Sequence, residues 1–274
     1  LLRITLFLWL EVLIMFNLIK ADLYRMRKTK SIKILFLLCC ISATLMSVIS
    51  YQLANVNLSH DIIGIGSFFT DFQMISLVSV IFISLFICND FENKTIHDSI
   101  STGYSRSSII ICKTITYFIS ILIFLLPYVI AAIVGMCSNY SFETFLPSVF
   151  QNIMKNENGT AFDFNIFLKI IAIWFTMAIV YASQISISIF LAFSIQKSVI
   201  VISLGYIFNA AIAQIINIDA ASDFFSKTPF SVDYSKLTLN ADYSVFFNFI
   251  GISLVFLIIM MLLSYLFFRK AEIK

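Results

Sequence analysis

Residues that could perform chemistry are few in this sequence and lie far apart. The two histidines, His60 and His97, fall outside the long apolar runs, and no HExxH, CxxC or G-x-x-x-x-G-K-[ST] pattern occurs. These patterns are the usual signs of a zinc site, a dithiol pair and a phosphate-binding loop. An intramembrane hydrolase would instead need a Ser–His pair or facing acids inside the helices. We therefore expect no catalytic residue, no metal and no cofactor on this chain.

Polar side chains inside the apolar runs are the other candidates for function. They are Asp71, Gln184, Asn209 and Gln214. An ionisable group within a membrane costs a few kcal/mol to insert, which makes it a functional candidate. These residues are candidates for lining a translocation path. Two alternatives stay open, because amides also hydrogen-bond between helices at about 0.6 kcal/mol each, and Asp71 lies close enough to the end of its run to reach the interface.

The composition indicates a membrane protein. Of the 274 residues, 60% are hydrophobic and 12% are charged, and the mean hydropathy is +0.98, whereas soluble domains carry about 25% charged residues. Six apolar runs reach the length of about 20 residues that a helix needs to cross a bilayer. They are 32–51, 68–88, 114–136, 166–190, 199–218 and 245–268. Because backbone polar groups in lipid must be satisfied within their own segment, we predict an all-α polytopic membrane protein with about six transmembrane helices.

Basic residues fall mainly on one side of this predicted bundle. Thirteen Lys and Arg lie on one side: before or at the start of the first run, between the second and third, between the fourth and fifth, and after the sixth. Four lie on the opposite side, together with most of the acids. Cytoplasmic loops carry such an excess. We expect a multi-pass inner (plasma) membrane protein with both termini cytoplasmic. The two long outer loops, 137–165 and 219–244, should form surface helices or re-entrant hairpins.

The N-terminal part of the sequence divides at Met15. Residues 1–14 form an apolar segment with no A-x-A-type cleavage site after it. We expect this segment to be an untranslated leader before a start at Met15, or an extra apolar segment. Residues 15–274 then form a single six-helix transmembrane domain.

The stretch after Met15 has the pattern of an amphipathic helix. Phe16, Ile19, Leu23 and Met26 fall on one helical face, and basic residues occupy the rest. Such a helix lies in the interface with its basic side towards anionic membrane lipid. The alternative is an ordinary basic flank that only sets the topology.

The segment between the second and third runs, residues 89–113, carries the most specific pattern, and we call it the connector. Thr95 and Asp98 fit a capping box at the start of a short helix, and Ile96 and Ile100 form an apolar i, i+4 pair. The pattern predicts a helix of about two turns on the membrane surface.

The connector also carries signals that end this helix and start the next. Gly103 supplies the left-handed residue with which helices end, and Ser105 can cap the helix that enters the third run. The short helix is therefore tied closely to two spans and is suited to receiving a push from a partner. A well-capped loop without a partner is the alternative.

The order of residues in the connector resembles the loop after the second span of ABC type-2 transporter permeases. The residues that carry the resemblance are Glu92, Lys94, Thr95, Ile96, Asp98, Ile100, Gly103, Ser105 and Arg106. The basic amphipathic start, the six runs and the basic tail are also similar. Lys94 departs from the pattern, because the family often has Gly at this position.

The resemblance implies that residues 89–101 form a coupling helix that docks on a cytoplasmic ABC ATPase subunit, with Ile96 entering a cleft of that partner. ATP and Mg would bind to the ATPase, so this chain would be a transport subunit and not an enzyme. A second permease copy, or a related permease, would complete the assembly. No nucleic-acid partner is expected.

The expected function is the membrane-spanning permease subunit of an ATP-driven ABC exporter, with hydrophobic or antimicrobial peptides as substrates, or a role in self-protection. An ATP-independent carrier or channel is the first alternative. It would favour inverted repeats and broken helices at the membrane midplane, and no convincing repeat relates the two halves of this sequence. An intramembrane enzyme is the second and less favoured alternative.

Overall fold

Apolar helices make up nearly all of the structure, a computed structural model that describes residues 2–55, 64, 66–146, 148–157, 159, 162–215, 225 and 227–270. For residues 2–14 and Ala213 it describes the backbone alone. Nine helices and no strand occur within these ranges. They are α1 (Leu2–Lys28), α2 (Lys30–Asn55), α3 (Asp71–Glu92), α4 (Thr95–Ser101), α5 (Arg106–Cys137), α6 (Val149–Asn156), α7 (Phe164–Ile195), α8 (Ser198–Ile215) and α9 (Tyr243–Lys270).

The long helices coincide with the predicted runs. Five of them, α2, α3, α5, α7 and α9, are long and apolar enough to cross a membrane, and the shorter apolar α8 corresponds to the fifth run. The prediction of an all-α polytopic membrane protein is confirmed. Residues 216–218, the predicted end of the fifth run, lie outside the described residues, as does most of 216–226 in the second outer loop.

Helix α1 is continuous from Leu2 through Met15 to Lys28. Met26 is buried and Leu23 packs against the core, as the predicted apolar face requires, but Phe16 is 62% exposed. Among residues 15–28, the part of α1 whose side chains the structure describes, Asp22 is the buried polar residue, at 6% exposed. The inward face is therefore set by a carboxylate as well as by apolar residues.

Contacts between helix ends show that the loops lie in two groups, one at each end of the bundle. At one end, which we call the basic end, the end of α1, the end of α3, the start of α5, the α7–α8 turn and the end of α9 come together. At the other, the acidic end, Ser50 of α2 accepts from the Glu143 backbone N–H and donates its hydroxyl to the Glu143 carbonyl, at 3.1 and 2.7 Å. Successive long helices therefore alternate in direction, as the charge pattern predicts.

Both outer loops pack onto the acidic end of the bundle. The first contains α6, whose Val149, Phe150, Ile153 and Met154 are buried, so the expected surface helix is present there. The second contains two short 3-10 turns, Pro229–Ser231 and Tyr234–Lys236, followed by the buried Leu237 and Leu239. This end of the bundle is covered by packed apolar side chains.

Helices α7 and α8 pack closely because the turn between them is short and the face of α8 that contacts α7 carries a glycine. Gln196 ends α7 in the left-handed region at φ 61°. On α8, a Cβ atom added to Gly205 would lie 2.7 Å from the Ser188 hydroxyl oxygen and 2.9 Å from a Val80 methyl carbon. Glycine at this position lets α8 approach α7 and α3 together.

Replacing Gly205 by leucine should push α8 away from its two neighbours. Overpacking of a close contact costs about 1–3 kcal/mol, so we expect Gly205→Leu to lower the free energy of unfolding in detergent micelles by at least that amount. Gly251→Leu on α9 is the matched control, because no atom lies within 4 Å of a Cβ added there. Equal stability of the two variants would contradict the packing of α8 described here.

Candidate functional site

The short helix of the connector is present, but it does not start as predicted. Helix α4 begins at Thr95, and Lys94 precedes it in the left-handed conformation at φ 58°, with no side-chain cap. The predicted capping box of Thr95 and Asp98 is therefore wrong. The Lys94 N–H is already bonded to the Phe91 carbonyl at 3.1 Å, and the left-handed residue makes the turn that a side-chain cap would otherwise make. Lys94 thus adopts a conformation that glycine adopts more easily.

The end of α4 and the start of α5 follow the predictions. Gly103 has φ 101°, and its N–H donates to the Ile100 carbonyl at 3.0 Å. The Ser105 hydroxyl accepts from the Ser108 N–H at 3.1 Å and caps α5. The connector is thus a short helix held between two fixed turns.

The apolar pair of α4 faces this chain's own core. Ile96 is 2% exposed, and Ile100 is half-buried against the same core. The expectation that Ile96 enters a partner's cleft is therefore wrong, because its side chain is already enclosed. The exposed face of α4 is polar and consists of Thr95, His97, Asp98 and Ser101.

A buried ion cluster that the sequence pattern did not predict joins both ends of the connector to α1. The Lys113 amine of α5 is 2.9 Å from an Asp22 oxygen of α1 and 2.7 Å from an Asp90 oxygen of α3. Arg25 of α1 pairs with the other Asp90 oxygen. The side chains of Lys113, Asp22 and Asp90 are 5%, 8% and 3% exposed. Three helices are therefore joined by charges that are largely removed from solvent.

The surroundings of this cluster favour the cations. The Lys113 amine lies 4.1 Å from the centre of the Phe86 ring, and the Arg25 guanidinium carbon lies 5.4 Å from it, which adds a cation–π attraction. Burial raises the pKa of the Asp22 carboxyl although Lys113 opposes the shift, and one Asp22 oxygen has no hydrogen-bond partner. The Asp22 carboxyl is therefore easier to protonate than a carboxyl in water.

Asp90 is the first of three successive residues that contact different neighbours. Asp90 binds α1 and α5, and the Phe91 ring packs edge-to-face on Phe193 of α7 and Phe268 of α9 at 5.8 and 5.7 Å between centroids. The Glu92 carboxylate accepts from the Ser198 N–H and hydroxyl at the start of α8, at 2.9 and 2.7 Å. Successive helical residues point about 100° apart, so one turn reaches five helices.

The Glu92 contact combines hydrogen bonding with a helix N-terminus. An acid at this position satisfies otherwise unpaired N–H groups and complements the helix dipole. One turn earlier in α3, the π-helical turn Ser84–Cys88 brings the Ser84 hydroxyl to the Ser198 carbonyl at 2.9 Å. Turns of this kind often occur at functional sites.

Arg106 closes the connector on its other side. Its guanidinium donates to the backbone carbonyls of Phe268 and Arg269 at 2.6 and 2.8 Å, and its central carbon lies 5.3 Å from the Phe268 ring centre. The last turn of α9 is therefore attached to the first turn of α5. The connector residues Glu92, Phe91 and Arg106 together link the connector to α7, α8 and α9.

A second polar cluster lies at the acidic end and contains two of the predicted path residues. Asp71 is fully buried and accepts from the Tyr181 hydroxyl at 2.7 Å. Gln184 donates to the Pro229 carbonyl at 2.7 Å and lies 3.2 Å from the Tyr234 hydroxyl. Packing of the Tyr181 and Tyr234 rings, 6.5 Å apart, joins the two halves of the cluster.

The other two predicted path residues lie on α8. None of the contacts given above joins α8 to this cluster. Asn209 is 8% exposed, and Gln214 is exposed. At the acidic end, one oxygen each of Asp71 and Gln184 and both amide atoms of Gln151 are buried without a partner. Within the described ranges, no three His, Cys, Asp or Glu side chains come together as metal ligands.

Comparison with known proteins adds no identification. No family model matches this chain, and no curated protein matches it at a significant level.

The sequence did contain signals for the ion cluster. Asp22 is the one acid between Lys20 and Lys33, and Lys113 follows Ile109-Ile110-Ile111-Cys112 at the entrance to an apolar run. An isolated opposite charge in each setting indicates a buried pair. Which helices would meet could not be read from the sequence, because the pairs Asp22–Lys113 and Arg25–Asp90 span 91 and 65 positions.

The stability that is lost when Lys113 is replaced should be restored when Asp22, the acid left without its partner, is replaced as well. We expect Lys113→Met to lower the free energy of unfolding in micelles by about 3 kcal/mol, the lower part of the range for a broken buried pair, because Asp22 can take up a proton. Asp90 keeps Arg25 in this variant. Adding Asp22→Asn should therefore recover most of the loss, whereas Lys197→Met, at an exposed position of the same end, should change stability by less than about 0.5 kcal/mol.

The same pair of variants predicts a pH dependence. The Asp22 pKa is raised in the folded chain, and losing Lys113 raises it further, so folding favours the protonated form. The loss caused by Lys113→Met should be largest at neutral pH and should shrink as the pH falls through this raised pKa. Asp22→Asn should remove the dependence. A double variant as unstable as Lys113→Met at every pH would show that the two side chains are not paired.

Proposed function

We propose that this chain is the membrane-spanning permease subunit of an ATP-driven ABC exporter, and that the connector is the surface on which a cytoplasmic ATPase subunit docks. The observation that carries the proposal is the attachment of one short exposed helix to the ends of six long helices. A force applied to α4 would reach α1 and α5 through Asp90, α8 through Glu92, and α7 and α9 through Phe91.

Burial favours such a role over that of a loop that only joins two spans. Ile96 fixes α4 to the bundle, and Gly103 and Ser105 fix its end. The opposite face of α4 is exposed and polar, as suits a contact that forms between two separately folded chains. The docking contact in this proposal is made by Thr95, His97, Asp98 and Ser101, with Ile96 as the anchor beneath them.

The rest of the assembly is proposed from charge and packing. The basic end faces the cytoplasm of a plasma-membrane protein, and a second permease copy or a related permease completes the path. Hydrophobic or antimicrobial peptides are the proposed substrates. At the acidic end, Asp71 and Gln184 lie beneath Pro229 and Tyr234, so a path that used them would open by displacing this covering segment.

Photocrosslinking from the exposed face of α4 tests the docking proposal. With p-benzoylphenylalanine at Thr95 in the native host, we expect an adduct to a chain that contains a phosphate-binding loop, identified by mass spectrometry. The control carries the same probe at Tyr243, which is 77% exposed at the acidic end and should not react with that chain. Adducts from Thr95 that contain only lipid, or only proteins without a phosphate-binding loop, would contradict the proposal.

Thiol labelling in intact cells tests the orientation. In a background without cysteine, Ser141→Cys at the acidic end should react with a membrane-impermeant reagent, and Ser101→Cys on α4 should react only after the cells are opened. Both serines are exposed, so a difference in labelling reports the side of the membrane. Reaction of Ser101→Cys in intact cells would reverse the proposed orientation.

A further inference from the structure

Two adjoining apolar pockets lie between α2 and α5, and we call them together the groove. Its first part, about 360 Å³, lies at the basic end and is bounded by α1, α2 and α5. Its second part, about 560 Å³, continues along α2 and α5 towards the acidic end. Phe36 lines both parts, so the two parts adjoin at this side chain.

The groove is long enough to hold an acyl chain of one leaflet. On α2, the lining runs from Ile32 past Phe36 and Cys40 to Val48, which covers about 24 Å at 1.5 Å per residue. The hydrocarbon depth of a leaflet is about 15 Å, half of a core of about 30 Å. An acyl chain that enters at Ile32 can therefore lie within the groove over the depth of its leaflet.

Two cations stand at the basic-end mouth of the groove. Arg27 at the end of α1 and Lys33 one turn into α2 line the first part together with Leu23 and Met26. Both cations are exposed, and neither forms a salt bridge among the residues that the structure describes. The nearest acid on α1, Asp22, lies about 140° around the helix from Arg27 and is bound to Lys113. The mouth is thus positive, while the groove below it is apolar.

We infer that this groove is a binding site for an anionic phospholipid, with the headgroup phosphate between Arg27 and Lys33 and an acyl chain along Phe36. Arginine and lysine bind phosphate through charge-assisted hydrogen bonds. Arg27 and Lys33 lie at the start of the apolar stretch of α2, which is the level at which lipid headgroups lie. A zwitterionic lipid would fill the groove without using the two cations at its mouth, and a transmembrane helix of a second copy would bring no anion to them. The charged mouth therefore favours an anionic phospholipid over both.

Quenching by brominated lipid tests the site in the full-length chain. In a background with Trp9→Phe and Trp174→Phe, Phe36→Trp places a reporter at the junction of the two groove parts. We expect dibrominated phosphatidylglycerol to quench it more strongly than dibrominated phosphatidylcholine at equal mole fraction in vesicles. The preference should be roughly fivefold for each cation, from about 1 kcal/mol per basic residue near the surface, and should fall as salt rises.

Charge-matched variants separate a site from general attraction to the membrane. Arg27→Gln with Lys33→Gln should abolish the preference while phosphatidylcholine still quenches, and Lys197→Gln, an exposed cation at the same end, should keep it. A reporter at Leu262→Trp, 57% exposed on α9, should show no preference. Equal quenching of Phe36→Trp by both lipids would overturn the inference, as would quenching by neither, which would indicate that protein fills the groove.

Discussion

The Lys113 amine is enclosed where six helices end, and its charge cannot be left there without partners. An uncompensated buried charge costs several kcal/mol, and the structure satisfies it with Asp22 from one helix and Asp90 from another. This requirement fixes the end of α1 against α3 and α5. It also fixes Asp90, and with it the direction in which Phe91 and Glu92 point. The attachment of α7, α8 and α9 to the connector therefore depends on the same pair of charges.

The sequence predicted most of the features that depend on local chemistry. Apolar run length identified the long helices, and Gly103 and Ser105 marked the end of α4 and the start of α5, because a left-handed residue and a hydroxyl cap act within one turn. The start of α4 was predicted wrongly. Thr95 is a good cap by type, but Lys94 takes the left-handed conformation just before it and makes the turn instead.

Features that depend on which helices meet could not be predicted. The pattern placed Ile96 on an apolar side of α4 but could not say whether this chain or a partner covers that side, and this chain covers it. Asp71 and Gln184 were both identified as polar residues in spans. Their connection through Tyr181 and Tyr234 requires the second outer loop to fold back over α7, which no local pattern specifies.

The two ends of the bundle differ in a way that suits a driven membrane protein. At the basic end, charges and aromatic rings join the helix ends around one exposed helix, and an apolar groove opens at the same end between α1, α2 and α5. At the acidic end, apolar residues such as Leu237 and Phe150 cover a polar cluster that keeps unpaired oxygen atoms. In the proposed exporter, the basic end would transmit movement and the acidic end would open.

The central claim is that one charge cluster holds the connector and its neighbours as a unit, and amide hydrogen exchange followed by mass spectrometry tests it most directly. Asp90→Asn removes the shared partner of Lys113 and Arg25. Asp98→Asn is the same chemical change on the exposed face of α4. The account predicts faster exchange in the end of α1, in α4 and in the first turn of α5 for Asp90→Asn alone, with α6 at the acidic end unchanged. Exchange in these three segments that equals that of Asp98→Asn would contradict it.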